Sequence, residues 1–124
     1  MKPEEFKELS KQFVLDALNL MNGPKADLYA KNLDDRLASF KRGAELMRTT
    51  PEFVCLAYMT KHYVHLIDMV RDLEDDGFWR PGEEWVEVLR DLVNYSLLMY
   101  GLWVEGIQAT AEMREKRENM PVEG

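Results

Sequence analysis

Thirteen consecutive residues, Leu92 to Val104, carry no charge, and they lie inside a stretch whose apolar side chains recur every three or four positions. A helix that turns apolar on most sides must be central in its fold or covered by a second subunit, since so much hydrocarbon is not left against water. The same spacing recurs along the rest of the chain, and no period-two alternation bounded by turns signals a strand. The expectation is an all-α protein, a compact bundle of about four helices. The last helix should be long and largely buried, and because helices of unequal length do not cover it within one subunit, a homo-oligomer is expected.

Local signals divide the chain. Pro3 suits a first helical turn, and Phe6, Leu9, Phe13, Ala17 and Leu20 share one face up to Met21. Asn22-Gly23-Pro24 ends that helix, glycine supplying a left-handed cap and proline blocking continuation. Residues 25–32 show no apolar stripe. A second helix is expected from Leu33 to Arg48, with Asn32 as N-cap, Asp34 and Asp35 in the first turn, and Leu33, Leu37, Phe40, Ala44 and Met47 facing inward. Thr50 and Pro51 restart the chain as N-cap and first helical residue. The third helix runs to about Glu74, with Leu56, Met59, Tyr63, Leu66, Ile67, Val70 and Leu73 on its apolar side. Lys61, His65, Asp68 and Asp72 form a narrow stripe nearly opposite, which faces solvent unless a second helix covers it. After the turn-rich residues 75–82 the last helix extends from Glu83 to near Lys116. One domain, residues 1–119, is expected to be followed by a flexible solvated tail at 120–124.

Charge and composition narrow the function classes. A formal net charge of −7, from 23 acidic and 16 basic residues, offers no basic excess to release counterions from a nucleic-acid backbone, so no nucleic-acid partner is expected. No apolar run reaches a membrane span, no signal-peptide pattern is present, and the lone Cys55 has no partner for an internal disulfide. These features read as a cytoplasmic, reduced protein with no membrane partner.

On the last helix Glu84, Glu87, Asp91 and Tyr95 form a line that continues as Leu98 and Leu102. If that line is buried at Leu98 and Leu102, it should face the same neighbours two or three turns earlier. Glu83 and Glu84 suit an electropositive helix start, but Asp91 lies beyond it. Glu87 and Asp91 are therefore expected to face inward, where a carboxylate persists only if paired, hydrogen-bonded or bound to a metal.

In chain order, "KADLY" (Lys25, Asp27, Tyr29), "DDRLASF" (Asp34 to Phe40), "TPE", "KH" (Lys61, His62) and "DLVNY" (Asp91, Asn94, Tyr95) resemble the nucleotide modification associated domain 1 family of small all-α proteins common in phage genomes. The resemblance covers about residues 23–103. It implies an association with nucleotide metabolism, without a reaction to carry over. The chain is also similar, more loosely, to the MazG-type all-α nucleotide pyrophosphohydrolases, in which carboxylates from two adjacent helices hold Mg²⁺ against a nucleoside triphosphate. That likeness implies Asp68, Asp72, Glu87 and Asp91 as candidate metal ligands, given antiparallel third and fourth helices. Lys25, Asp27, Tyr29, Arg36, Lys61, His62, His65, Asn94 and Tyr95 are the candidate ligand-binding residues. The enzymes carry E-x-x-E followed by E-x-x-D on a later helix; Glu84 and Glu87 supply the first pair, and no E-x-x-D follows.

Other residue types carry weaker signals. His62 and His65 lack a third strong ligand for zinc. Tyr58, Tyr63, Tyr95, Trp79, Trp85 and Trp103 offer faces for base stacking, although most are expected in the core. Cys55 has no matched base. A phosphate would need a local cationic cluster such as Lys25, Lys31, Arg36 and Lys41 to offset the acidic surface. The leading expectation is a binder of a nucleotide or nucleotide-derived molecule that does not turn it over. The alternatives are a Mg²⁺-dependent pyrophosphohydrolase and a helical oligomer that binds no small molecule.

Overall fold

The computed structural model describes residues 1–23, 34–79 and 81–121. Among these lie four α-helices and no strand: α1 (Pro3–Met21), α2 (Ala38–Met47), α3 (Pro51–Asp76) and α4 (Glu83–Glu118). None of them is long and apolar enough to cross a membrane. The expectations for Lys25, Asp27, Tyr29, Lys31, Asn32, Leu33 and the end of the tail fall outside the described residues.

Each helix begins and ends for a local reason. Pro3 opens α1, with Glu4 and Glu5 at its electropositive end. It stops at Asn22, whose N–H donates to the Leu18 carbonyl. Gly23 is not in a left-handed conformation; it is glycine because a Cβ there would lie 2.9 Å from the Asn19 carbonyl oxygen. Helix α2 starts later than the apolar pattern suggests. Asp35 Oδ1 accepts the Leu37 N–H at 3.0 Å, holding the preceding residues in a side-chain-capped turn rather than a helical one. Thr50 caps α3 by accepting the Phe53 N–H at 3.2 Å, Pro51 follows, and Gly77 at φ 74° provides the left-handed stop. Helix α4 has 36 residues, which makes it roughly 54 Å long.

Helices α3 and α4 form an antiparallel hairpin, α2 packs on α3, and α1 packs on α4. The core sits where α2, the first half of α3 and the middle of α4 meet, at Leu37, Phe40, Ala44, Val54, Cys55 and Leu102, with Met59, Tyr95, Leu98 and Met99 against it. Leu37 reaches α4 at Gly101, where a Cβ would stand at an ordinary 3.5 Å from Leu37 Cδ1. Beside this contact Lys41 bridges Asp35 at 2.7 Å and Glu105 at 2.8 Å, tying α2 to α4.

Several faces differ from the sequence reading. On α2 Met47 is exposed. On α3 the inward line runs through Cys55, Met59, His62, Leu66, Met69 and Leu73, while Leu56, Tyr63 and Val70 are exposed. At about 100° per residue those two lines are roughly 80° apart. Because α3 is apolar along both, periodicity alone does not choose between them. Nor is α4 largely buried within one chain. Only Val88, Asn94 and Leu102 are buried on it, and Tyr100, Trp103 and Ile107 are about half exposed or more.

Candidate functional site at the α3–α4 seam

The antiparallel hairpin brings His62 and His65 of α3 against the acidic start of α4. His62 Nδ1 lies 3.6 Å from Asp91 Oδ2, and His65 Nε2 lies 2.9 Å from Glu84 Oε1. Asp91 is thus half-buried with an imidazole as its neighbour, as an inward-facing carboxylate requires. Glu87 does not follow it. It is exposed, because it sits about 80° around the helix from Tyr95, outside the arc that α3 covers.

Next to this pair is a row of rings. Tyr58 and Tyr95 stack with centroids 5.9 Å apart and planes parallel to 1°. His62 tilts over Tyr95 at 5.2 Å, and Phe40 meets Tyr58 edge-on at 6.4 Å. Tyr58 remains half exposed, so the row runs from the core outward. Burial, then the charge of Asp91, raises the Tyr95 phenol above its ordinary range. Cys55, below the row, donates its S–H toward the Tyr95 carbonyl at 3.6 Å. Burial, then the charge of Glu52, pushes its thiol up, opposite to what a nucleophile needs.

Asn94 adjoins Tyr95 in sequence and is the buried polar residue of α4, only 9% exposed. Its Oδ1 has no hydrogen-bond partner among the described residues, and neither does the buried Nε of Arg90, one turn earlier. Native proteins rarely leave such atoms unpaired without a reason. This acceptor and donor are four residues apart on one face of α4, turned about 100° or more around the helix from Tyr95.

The carboxylates implied as metal ligands are not gathered. Asp68 and Asp72 are exposed on the outer face of α3, Glu87 is exposed, and Asp91 faces His62. Among the described residues no group of three or more His, Cys, Asp or Glu side chains is placed to hold a metal ion. Octahedral Mg²⁺ coordination needs several convergent oxygens, and this donor set does not fit it. Lys61 is exposed, and Arg36 Nη2 donates to the Met21 carbonyl at 3.4 Å. Lys41 is held between Asp35 and Glu105, so it is not a free phosphate ligand.

Of the aromatic residues, Trp79, Trp103, Tyr63 and Tyr58 are half exposed or more rather than in the core. Sequence reasoning missed Arg90 and the Tyr58–Tyr95 stack. The four-residue spacing of Arg90 and Asn94 places them on one face, but the face to which Tyr58 turns depends on how α3 rotates. No family model, curated protein or solved structure matches this chain.

Proposed function

We propose that this chain is a non-catalytic binding protein that takes a nucleotide or nucleotide-derived molecule at the α3–α4 seam, acting as an assembly of several copies in the cytoplasm. The observation that carries the reading is the buried Asn94, whose Oδ1 lacks a partner among the described residues. The Asn94 amide would offer one acceptor to the amide-like edge of a nucleobase, and the half-exposed Tyr58 would offer a stacking face. The motif order from Lys25 to Tyr95 and its resemblance to the nucleotide modification associated domain 1 family support the same ligand class. Lys61, exposed on α3, is the cation this reading offers to a phosphate. The dispersed carboxylates favour binding over Mg²⁺-assisted hydrolysis.

The test is a thermal-shift screen against nucleoside mono-, di- and triphosphates and cyclic dinucleotides, with chromatography of the ligand afterwards. A ligand that binds only the folded state raises the melting temperature, and it should be recovered unchanged. Asn94→Leu removes the unpaired acceptor at similar volume. It should abolish the shift while the unliganded protein melts no lower, and higher by about 1 kcal/mol of stability if the acceptor is unpaired in solution. The reading is lost if no nucleotide shifts the wild type, or if the variant binds as well.

A second reading, a helical interaction protein that binds no small molecule, is favoured by one feature. Apolar side chains stand exposed along α1 and α4, among them Phe6, Leu9, Tyr100 and Trp103.

A further inference from the structure

We propose that Asp91 fixes His62 as a hydrogen-bond acceptor, through Nε2, for a ring amino group of the ligand at the α3–α4 seam. This rests on the nucleotide-binding reading and names the kind of base the seam selects. The contact that carries it joins His62 Nδ1 and Asp91 Oδ2, 3.6 Å apart. A neutral imidazole carries one ring N–H, and the group facing one nitrogen decides which nitrogen holds the hydrogen. With a carboxylate opposite Nδ1 the hydrogen belongs there, because an N–H turns its positive end to the carboxylate, whereas the other tautomer sets a lone pair against it. The separation is slightly longer than a closed hydrogen bond, but the preference needs only the sign of the interaction. Both side chains are partly withdrawn from water, 26% and 39% exposed, which strengthens it. Nε2 is then a bare acceptor.

Among the described residues that acceptor is unoccupied: the His62 side chain meets Asp91 through Nδ1 and the Tyr95 ring through its face, and makes no other polar contact. Nε2 lies across the ring from Nδ1 and so does not face Asp91. Tyr58, half exposed, stands one turn before His62 on α3, a spacing of roughly 6 Å between Cβ atoms. A single heterocycle stacked on Tyr58 covers that distance and brings a substituent on its edge to the imidazole. An acceptor that a ligand buries without a donor costs affinity, so the seam distinguishes a base with an exocyclic amine from the same base without one. His65 provides the contrast. It turns Nε2, not Nδ1, to its carboxylate, with Glu84 Oε1 at 2.9 Å, so the same rule gives it the opposite tautomer.

A long-range proton–nitrogen correlation spectrum of the unliganded full chain reads the tautomers, recorded at about pH 8.5, above the roughly 6.5 at which an ordinary imidazole takes up a proton. The chain has 2 histidines, and the spectrum should show one of each tautomer, with His65→Gln assigning the signals. Titration calorimetry then compares the monophosphates of adenosine and purine riboside, and those of guanosine and inosine, each pair differing by one exocyclic amine. The wild type should bind the amine-bearing member of at least one pair about 3- to 10-fold more tightly. Asp91→Asn sets an amide N–H opposite Nδ1 and moves the ring hydrogen to Nε2; His62→Phe keeps a ring and removes the acceptor. Either should abolish the preference with unchanged helicity by circular dichroism, and two variants keep the test open should one misfold. A wild-type spectrum with the His62 hydrogen on Nε2 overturns the proposal without any ligand. If nucleotides bind but neither pair is discriminated, or both variants keep the wild-type preference, the binding reading stands and this acceptor is wrong. If no nucleotide binds, the recognition falls together with that reading.

Discussion

The middle and the first turns of α4 are treated differently by the rest of the chain. Around Leu102, α2 and α3 close over the helix, and Leu37, Phe40, Ala44, Val54 and Cys55 leave little of the contact to water. Around Leu89, α3 meets one side of the helix through His62 and His65 and α1 meets another, and Phe6, Leu9 and Val14 keep much of their surface exposed. The residues around Leu102 are uncharged, whereas the turns around Leu89 mix Glu87, Arg90 and Asp91 with apolar positions. At the first region α2 and α3 share one core with α4, while at the second the α1 side chains stay exposed beside it. The first region holds the chain together, and the second keeps apolar side chains exposed.

The largest expected effect separates these regions directly. Leu102→Ala should lose about 2–5 kcal/mol, since it removes a side chain that is 2% exposed and leaves a cavity among fixed neighbours. Leu9→Ala, more than half exposed, should change the stability of the single chain by less than about 0.5 kcal/mol. Urea denaturation at low protein concentration measures both. Equal losses would erase the distinction between core and open face.

A smaller effect should have the opposite sign. Gly101→Ala places its Cβ at an ordinary 3.5 Å from Leu37 Cδ1 and removes a glycine from mid-helix. It should stabilise by about 0.5–1 kcal/mol, raising the melting temperature. A loss of stability would mean that α2 and α4 are packed more tightly at this point than ordinary van der Waals contact.

The smallest effect is electrostatic and confined to the closed end. The hydrogen bond from Lys41, then that from the Leu37 amide, holds the Asp35 carboxyl below its ordinary value of 3.8. Hydrogen bonds to Asp35 and then Glu105 raise Lys41 above 10.5. A depressed carboxyl contributes fully above its unfolded value and loses that contribution as pH falls through the folded one. A raised ammonium contributes fully below its unfolded value and loses it as pH rises through the folded one. The bridge should therefore be complete between about pH 4 and 10 and fail on either side. These groups are 30–45% exposed, so it should be worth no more than about 1 kcal/mol and shrink with salt. Comparing stability against pH for the wild type and Asp35→Asn reads it. Parallel curves would show that the bridge contributes nothing.

The candidate site was legible in part. Asp91 beside a polar partner followed from the line through Tyr95, Leu98 and Leu102, because residues three and four apart share a face whatever the fold. Glu87 failed the same reasoning, since it lies at the edge of that arc and the arc's width depends on the neighbour. Asp68 and Asp72 stay exposed on the outer side of α3, as their stripe does when no second helix covers it.

The sequence by itself determined the four described helices and most of their ends. Thr50 with Pro51, Gly77, and Pro3 with its acidic first turn act over one turn of chain, and so need no knowledge of the fold. Only the tertiary structure decided how each helix is rotated. Helix α3 carries two apolar lines of similar strength, and the one through Cys55 and Met69 is buried because it is the one α2 and α4 reach. That choice placed His62 against Asp91 and Tyr58 on Tyr95, and left the α1–α4 groove open. The physical reason is that a helix forms from local hydrogen bonds and caps, whereas the face it hides is set by competition among the surfaces available to cover it.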